Sequence, residues 1–189
     1  MPNRQPLTPE DVLKFENIGD AQLSPDGKTI AFVRGKPFKP DGVSVHATIW
    51  LCDVATGEIR QLTSGPRTDT LPRWSPDGKQ LAFLSNRLAE KQKQIFLIDP
   101  HGGEARALTT LKGIIPTPRG LNALQWSPDG QQLGFLLKDS FSEEEQSRRR
   151  KKDDAIVFEQ NPHYVRAWSV RVDDKSVHCI SPEQLQVWE

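Results

Sequence analysis

Ser24-Pro25-Asp26-Gly27, Ser75-Pro76-Asp77-Gly78 and Ser127-Pro128-Asp129-Gly130 are one tetrapeptide met three times, at spacings of 51 and 52 residues. Each copy is followed by an apolar stretch carrying a phenylalanine: Thr29-Ile30-Ala31-Phe32-Val33, Gln80-Leu81-Ala82-Phe83-Leu84 and Gln132-Leu133-Gly134-Phe135-Leu136. A fixed period of tens of residues signals a tandem architecture. The tetrapeptide itself reads as a tight turn. Proline sets the φ wanted at the second position of a type I turn, serine and aspartate bond neighbouring amides, and glycine takes the left-handed conformation that completes a bulged hairpin. The turn therefore joins two antiparallel strands, the first ending in Leu23, Trp74 or Trp126.

Each unit continues into a second hairpin. Ile49-Trp50-Leu51-Cys52-Asp53 leads through a turn at Thr56-Gly57 to Ile59–Thr63, and Ile95-Phe96-Leu97-Ile98-Asp99 leads through Gly102-Gly103 to Ala105–Thr109. Four short strands, apolar on both faces, suit a sheet held between two neighbouring sheets. That is the blade of a β-propeller. The sequence thus predicts an all-β chain, a partial propeller of about three four-stranded blades over 19–63, 70–109 and 122–181, with 182–189 opening a fourth. Residues 1–18 form a helical lead-in, where Thr8-Pro9-Glu10-Asp11 combines a capping hydroxyl, proline at the first helical position and acids in the first turn.

The third unit breaks the pattern. Lys138–Asn161 replaces a short loop with Ser142-Glu143-Glu144-Glu145, then Arg148-Arg149-Arg150-Lys151-Lys152, then Asp153-Asp154, before strand character returns at Val165–Val170. Trp168 aligns with Trp50, but Arg171 stands where Asp53 and Asp99 stood. The basic run is neutralised by the acids on either side, which marks a solvated extension and not a nucleic-acid site.

Composition narrows the function. The chain has 189 residues, with 25 basic and 25 acidic side chains, so no net field favours nucleic acid or an anionic membrane. No apolar run reaches the length of a signal region or a membrane span, which leads us to expect a cytoplasmic protein. Two cysteines, Cys52 and Cys179, fall in strand-like segments without metal or redox spacing and are expected to be reduced and buried.

Chemistry is hard to find. A nucleophile elbow needs Gly-x-Ser-x-Gly, yet the glycines four apart, Gly130 and Gly134, enclose Gln132. Asp26, Asp77 and Asp129 read as turn-formers, and Asp53 and Asp99 as loop anchors. His178 and Cys179 are strand neighbours that point to opposite faces, so with His163 they do not converge on a metal. His46 and His101 lie in loops without ligand partners nearby. Trp50, Trp74, Trp126 and Trp168 recur at fixed points of the repeat, which argues for packing between blades. No catalytic, metal-binding or cofactor-binding residue is identified, no cofactor is expected, and the substrate-binding residues are unassigned.

The opening Leu7-Thr8-Pro9-Glu10-Asp11 through Ile18-Gly19-Asp20, the phrase Trp74-Ser75-Pro76-Asp77-Gly78, Gly102–Thr109 and the charged insertion ending at Val165-Arg166-Ala167-Trp168 carry a resemblance across essentially the whole chain. Together they resemble the amino-terminal propeller of prolyl oligopeptidase family serine peptidases, particularly the acylaminoacyl- and dipeptidyl-peptidase branches. The resemblance implies a propeller that caps a carboxy-terminal α/β-hydrolase domain holding a Ser-His-Asp triad and filters short peptides. The chemistry would then lie outside this chain. The alternative is a TolB-like propeller scaffold that binds protein partners through its loops. Three blades also leave end faces without neighbours, so self-association through them is expected.

Overall fold

The computed structural model describes residues 8, 9, 11, 15–36, 46–90, 92–116, 123–138 and 165–182. The charged insertion, His163 and residues 183–189 lie outside them, as does most of the expected helix. At its start, Pro9 and Asp11 are helical and the capping exchange is in place. The Thr8 hydroxyl donates to Asp11 Oδ2 at 2.9 Å, and the Asp11 amide donates to Thr8 Oγ1 at 3.2 Å.

Twelve strands follow. They are β1 Asn17–Leu23, β2 Thr29–Gly35, β3 Ala47–Asp53, β4 Ile59–Gln61, β5 Asp69–Trp74, β6 Leu81–Ala89, β7 Gln92–Ile98, β8 Arg106–Ala107, β9 Leu124–Trp126, β10 Gln132–Lys138, β11 Val165–Arg171 and β12 Val177–Cys179. They form three four-stranded antiparallel sheets, each drawn from consecutive strands in the order of the chain. The expected all-β repeat architecture is therefore present. The fourth strands are shorter than the sequence suggests, since β4 stops at Gln61 and β8 at Ala107.

The chain divides into two compact units, Met1–Ala107 with the first two sheets and Leu108–Glu189 with the third. In the first unit one core joins the sheets: Ala31, Ile49 and Leu51 on the first meet Leu81, Phe83, Phe96 and Ile98 on the second. Phe83 and Phe96 are cross-strand partners whose rings stack at 5.8 Å. The alternate positions Ala82, Leu84, Ile95 and Leu97 are buried as well, so β6 and β7 are dry on both faces. In the second unit β10 alternates instead, with Leu133, Phe135 and Leu137 buried and their neighbours half-buried. There the chain at Gly113 runs so close to β10 that a Cβ would lie 2.6 Å from the Lys138 carbonyl oxygen, and the neighbouring Ile114 bridges to Lys138.

One expectation needs correction. Cys179 is exposed and Cys52 only half-buried, because Cys179 ends the edge strand β12, and Cys52, next to the last residue of the inner strand β3, shares a sheet face with the exposed Leu23 and Ile59. The tryptophans also divide. Trp74 packs on the core between the first two sheets, whereas Trp50 and Trp168 each lie under an arginine of their own sheet, Arg34 at 4.5 Å and Arg166 at 5.7 Å.

Candidate functional site

The residues that first draw the eye as acids are spent on turns. In the second repeat the Ser75 hydroxyl donates to Asp77 Oδ1 at 2.7 Å, the Lys79 amide donates to the same oxygen at 3.1 Å, and the Gln80 amide donates to Ser75 Oγ at 2.9 Å. The first and third repeats reproduce the network through Ser24, Asp26, Ser127 and Asp129. The serine hydroxyl, followed by the backbone amide, holds each of these carboxyls below its ordinary value. Asp53 accepts from the Ala55 and Thr56 amides and the Thr56 hydroxyl, and Asp99 from the His101 amide. His178 pairs with Ser169 and Cys179 with Trp168 on β11. Among the described residues no three His, Cys, Asp or Glu side chains converge as metal ligands.

Polar groups do converge along β5, where the two sheets of the first unit meet. The strand packs against β1, β2 and β3. Both β1 and β5 carry a bulge at the same point of the repeat, and its residue lies in the left-handed region: Asp20 at φ 47° and Leu71 at φ 55°. A bulge re-aims side chains, and a leucine held there is strained. Asp20 is turned toward the neighbouring sheet, where it accepts from Arg73 Nη1 at 2.9 and 3.1 Å. The same nitrogen donates to the Pro72 carbonyl, and Trp74 Nε1 donates across the seam to the Gln22 carbonyl at 3.1 Å.

At the start of β5 a second pair is buried more deeply. Asp69 exposes 2% of its side chain and accepts at Oδ2 from Arg87 Nη2 at 2.8 Å. Arg87 Nε donates to Ser85 Oγ at 3.0 Å, and its guanidinium lies 5.3 and 5.0 Å from the Phe83 and Phe96 rings. Asp69, Ser85 and Gln94 face one another across β5, β6 and β7, so the row shares the face of the apolar core. The adjoining Asn86 side chain accepts from the Thr68 amide and donates to the Glu90 carbonyl, which fixes the β6–β7 connection.

Apart from Trp74, expected to pack between blades, none of these seam residues was given a role by the sequence reading. A signal existed, because counting by the repeat puts Ile18 and Leu121 where Asp69 stands, so the second copy has a carboxylate in an apolar slot.

Blades of four consecutive antiparallel strands marked by this turn, the first two of them joined face to face along a polar seam, define the chain as propeller-type repeats. Residues 10–146 match the family model described as the TolB beta propeller domain, and the chain belongs to that family. Its relatives include the "Uncharacterized peptidase YuxL" of Bacillus subtilis, 35% identical over 127 residues, which cover 67% of this chain and 18% of that protein. Dipeptidyl-peptidase 5 of Porphyromonas endodontalis is 32% identical over 127 residues, 67% of this chain and 17% of its own length. The chain thus spans less than a fifth of these relatives. Among solved structures, Pyrococcus horikoshii acylaminoacyl peptidase superposes with a TM-score of 0.63 at 19% identity, over 87% of this chain and 24% of that one. A putative TolB from Agrobacterium tumefaciens gives 0.56 at 22% identity, over 83% and 46%. At these identities the structural likeness concerns the fold.

Proposed function

We propose that this chain is the propeller portion of a peptidase of the acylaminoacyl- or dipeptidyl-peptidase kind, and that it filters peptides on their way to a hydrolase domain of the parent polypeptide. The observation that carries the reading is the pair of relatives named as peptidases, 35% and 32% identical over two thirds of this chain. The seam gives the filter a physical form. Two adjacent blades latched by Asp20–Arg73 and by Trp74 on Gln22 hold a fixed spacing, and a fixed spacing sets what can pass beside them. The purified 189-residue chain should not cleave dipeptidyl or acyl-aminoacyl reporters, whereas the parent polypeptide should, with loss of turnover under a serine-directed inhibitor. Turnover by the chain alone would refute the division of labour.

The structural match to TolB supports a second reading, a scaffold that binds proteins through its loops. The parent reading frame separates the two: a downstream Gly-x-Ser-x-Gly between a strand and a helix favours the peptidase, and a frame without a hydrolase domain favours the scaffold.

A further inference from the structure

We propose that Lys93 is an acylation site, whose amine takes an acyl group from a small thioester ahead of the exposed lysines of the chain. Lys93 stands second on β7, where the hairpin with β6 is irregular. Ser85 pairs with Gln94 and Ala89 with Gln92, so Asn86, Arg87 and Leu88 together oppose Lys93 alone. A bulge of this kind interrupts the ladder and re-aims the side chains beside it. By alternation Lys93 lies on the face of Ile95 and Leu97. Their partners on β6 are Leu84 and Ala82, and all four of these residues are buried.

Lys93 is itself half-buried on that apolar face, and among the described residues its amine has no hydrogen-bond or ion-pair partner. The charges near it are committed elsewhere. Arg87 is held by Asp69, which lies on the opposite face, and Glu90 in the β6–β7 connection is exposed. Thr70 and Asn86, from β5 and β6, carry no charge. Burying a cation without a counter-charge favours its neutral form, and this alone holds the Lys93 amine below its ordinary 10.5. A neutral amine is the nucleophile that acyl transfer needs. The Nζ lone pair attacks the thioester carbonyl carbon, the C–N bond forms as the C–S bond breaks, and the amine's proton leaves with the thiol. The product is an uncharged amide, which an apolar face accepts at lower cost than an ammonium, so the modification relieves the penalty of burial.

The inference is independent of the peptidase reading, and its test needs no hydrolase. The full chain is treated briefly at pH 7 with limiting S-acetyl-N-acetylcysteamine, then unfolded, and its remaining amines are acetylated with deuterated acetic anhydride. Mass spectrometry of the peptides gives the ratio of light to heavy label at each lysine. Lys28, Lys36, Lys79 and Lys112 are exposed and serve as the internal reference. Lys93 should carry at least about threefold more light label than any of them, since a smaller protonated fraction leaves more nucleophilic amine at neutral pH. Its rate should also level off at a lower pH than theirs, which a difference in access would not produce. The preference should vanish when the thioester is added in urea. Lys93→Met, which keeps the length of the side chain without its charge, should raise the melting temperature, whereas Lys36→Met should leave it unchanged. Labelling of Lys93 at or below the reference lysines, a pH profile shared with them, a preference that persists in urea, or a Lys93→Met chain that melts no higher than wild type overturns the proposal.

Discussion

Asp69 and Arg87 show why a single side chain and its partner must be treated together. Removing Arg87 alone leaves a carboxylate that is 2% exposed without its cation. Arg87→Ala should therefore destabilise the first unit by about 3 kcal/mol, whereas Asp69→Leu/Arg87→Met should cost far less, as read from urea unfolding followed by tryptophan fluorescence. The turn acids behave differently because they stand in water. Ser75 and the Lys79 amide hold the Asp77 carboxyl below its ordinary 3.8, so its folded value is depressed. Such a group stabilises the fold above its unfolded value, and the contribution is lost as pH falls through the folded one. Asp173, gripped by Arg171 and pulled to about 2, extends that window downward. Comparing wild type with Asp77→Asn at pH 7 and again below 3 should show a stability gap that closes in acid. A gap of constant size would mean that the charge of Asp77 plays no part.

The repeat element tolerates substitutions whose backbone demands remain legible. Gly57 and Lys175 occupy the same place, seven residues past Trp50 and Trp168, and both are left-handed, at φ 71° and 60°. The third unit's hairpin thus turns on a lysine, and its acids have moved. Arg171 replaces the anchor, Asp173 bonds Arg171, and Asp174 accepts from the Ser176 amide and hydroxyl. Lys175→Gly should stabilise the second unit by about 1 kcal/mol, and Gly78→Ala, at φ 71° with no clash nearer than 3.8 Å, should cost the first a similar amount. Thermal melts of the two variants measure both, and shifts of the same sign would refute the conformational account. This contrast explains what could be read in advance. Turns announce themselves because Ser-Pro-Asp-Gly meets local φ and hydrogen-bond demands within four residues. The latches Asp20–Arg73 and Asp69–Arg87 join residues 53 and 18 apart and depend on two bulges and a strand register. Repeat counting flags Asp69 as out of place, but it does not name Arg87 as its partner.

At the scale of the molecule, the face that the first sheet turns away from the second is unusually apolar for solvent. Ile18, Leu23 and Ile59 are 71%, 58% and 51% exposed, and Leu23, Ile30, Cys52 and Ile59 lie on one face by register. The repeat says what kind of surface belongs there. The corresponding residues of the second sheet, Trp74, Leu81 and Ile98, are those covered by Ala31, Ile49 and Leu51 of the first. The exposed face is thus the counterpart of one already seen buried under a blade, and apolar area left in water favours association at roughly 25 cal/mol per Å². We expect the 189-residue chain to associate in solution as its concentration rises. Leu23→Asp/Ile59→Lys, which places charges on that face without touching the seam, should return it to a monomer with its strand content unchanged. Light scattering across a dilution series, with circular dichroism of the variant, decides the matter. A wild-type chain that stays monomeric throughout would mean that the face is stable in water as it stands and that the repeat's packing rule does not extend to it.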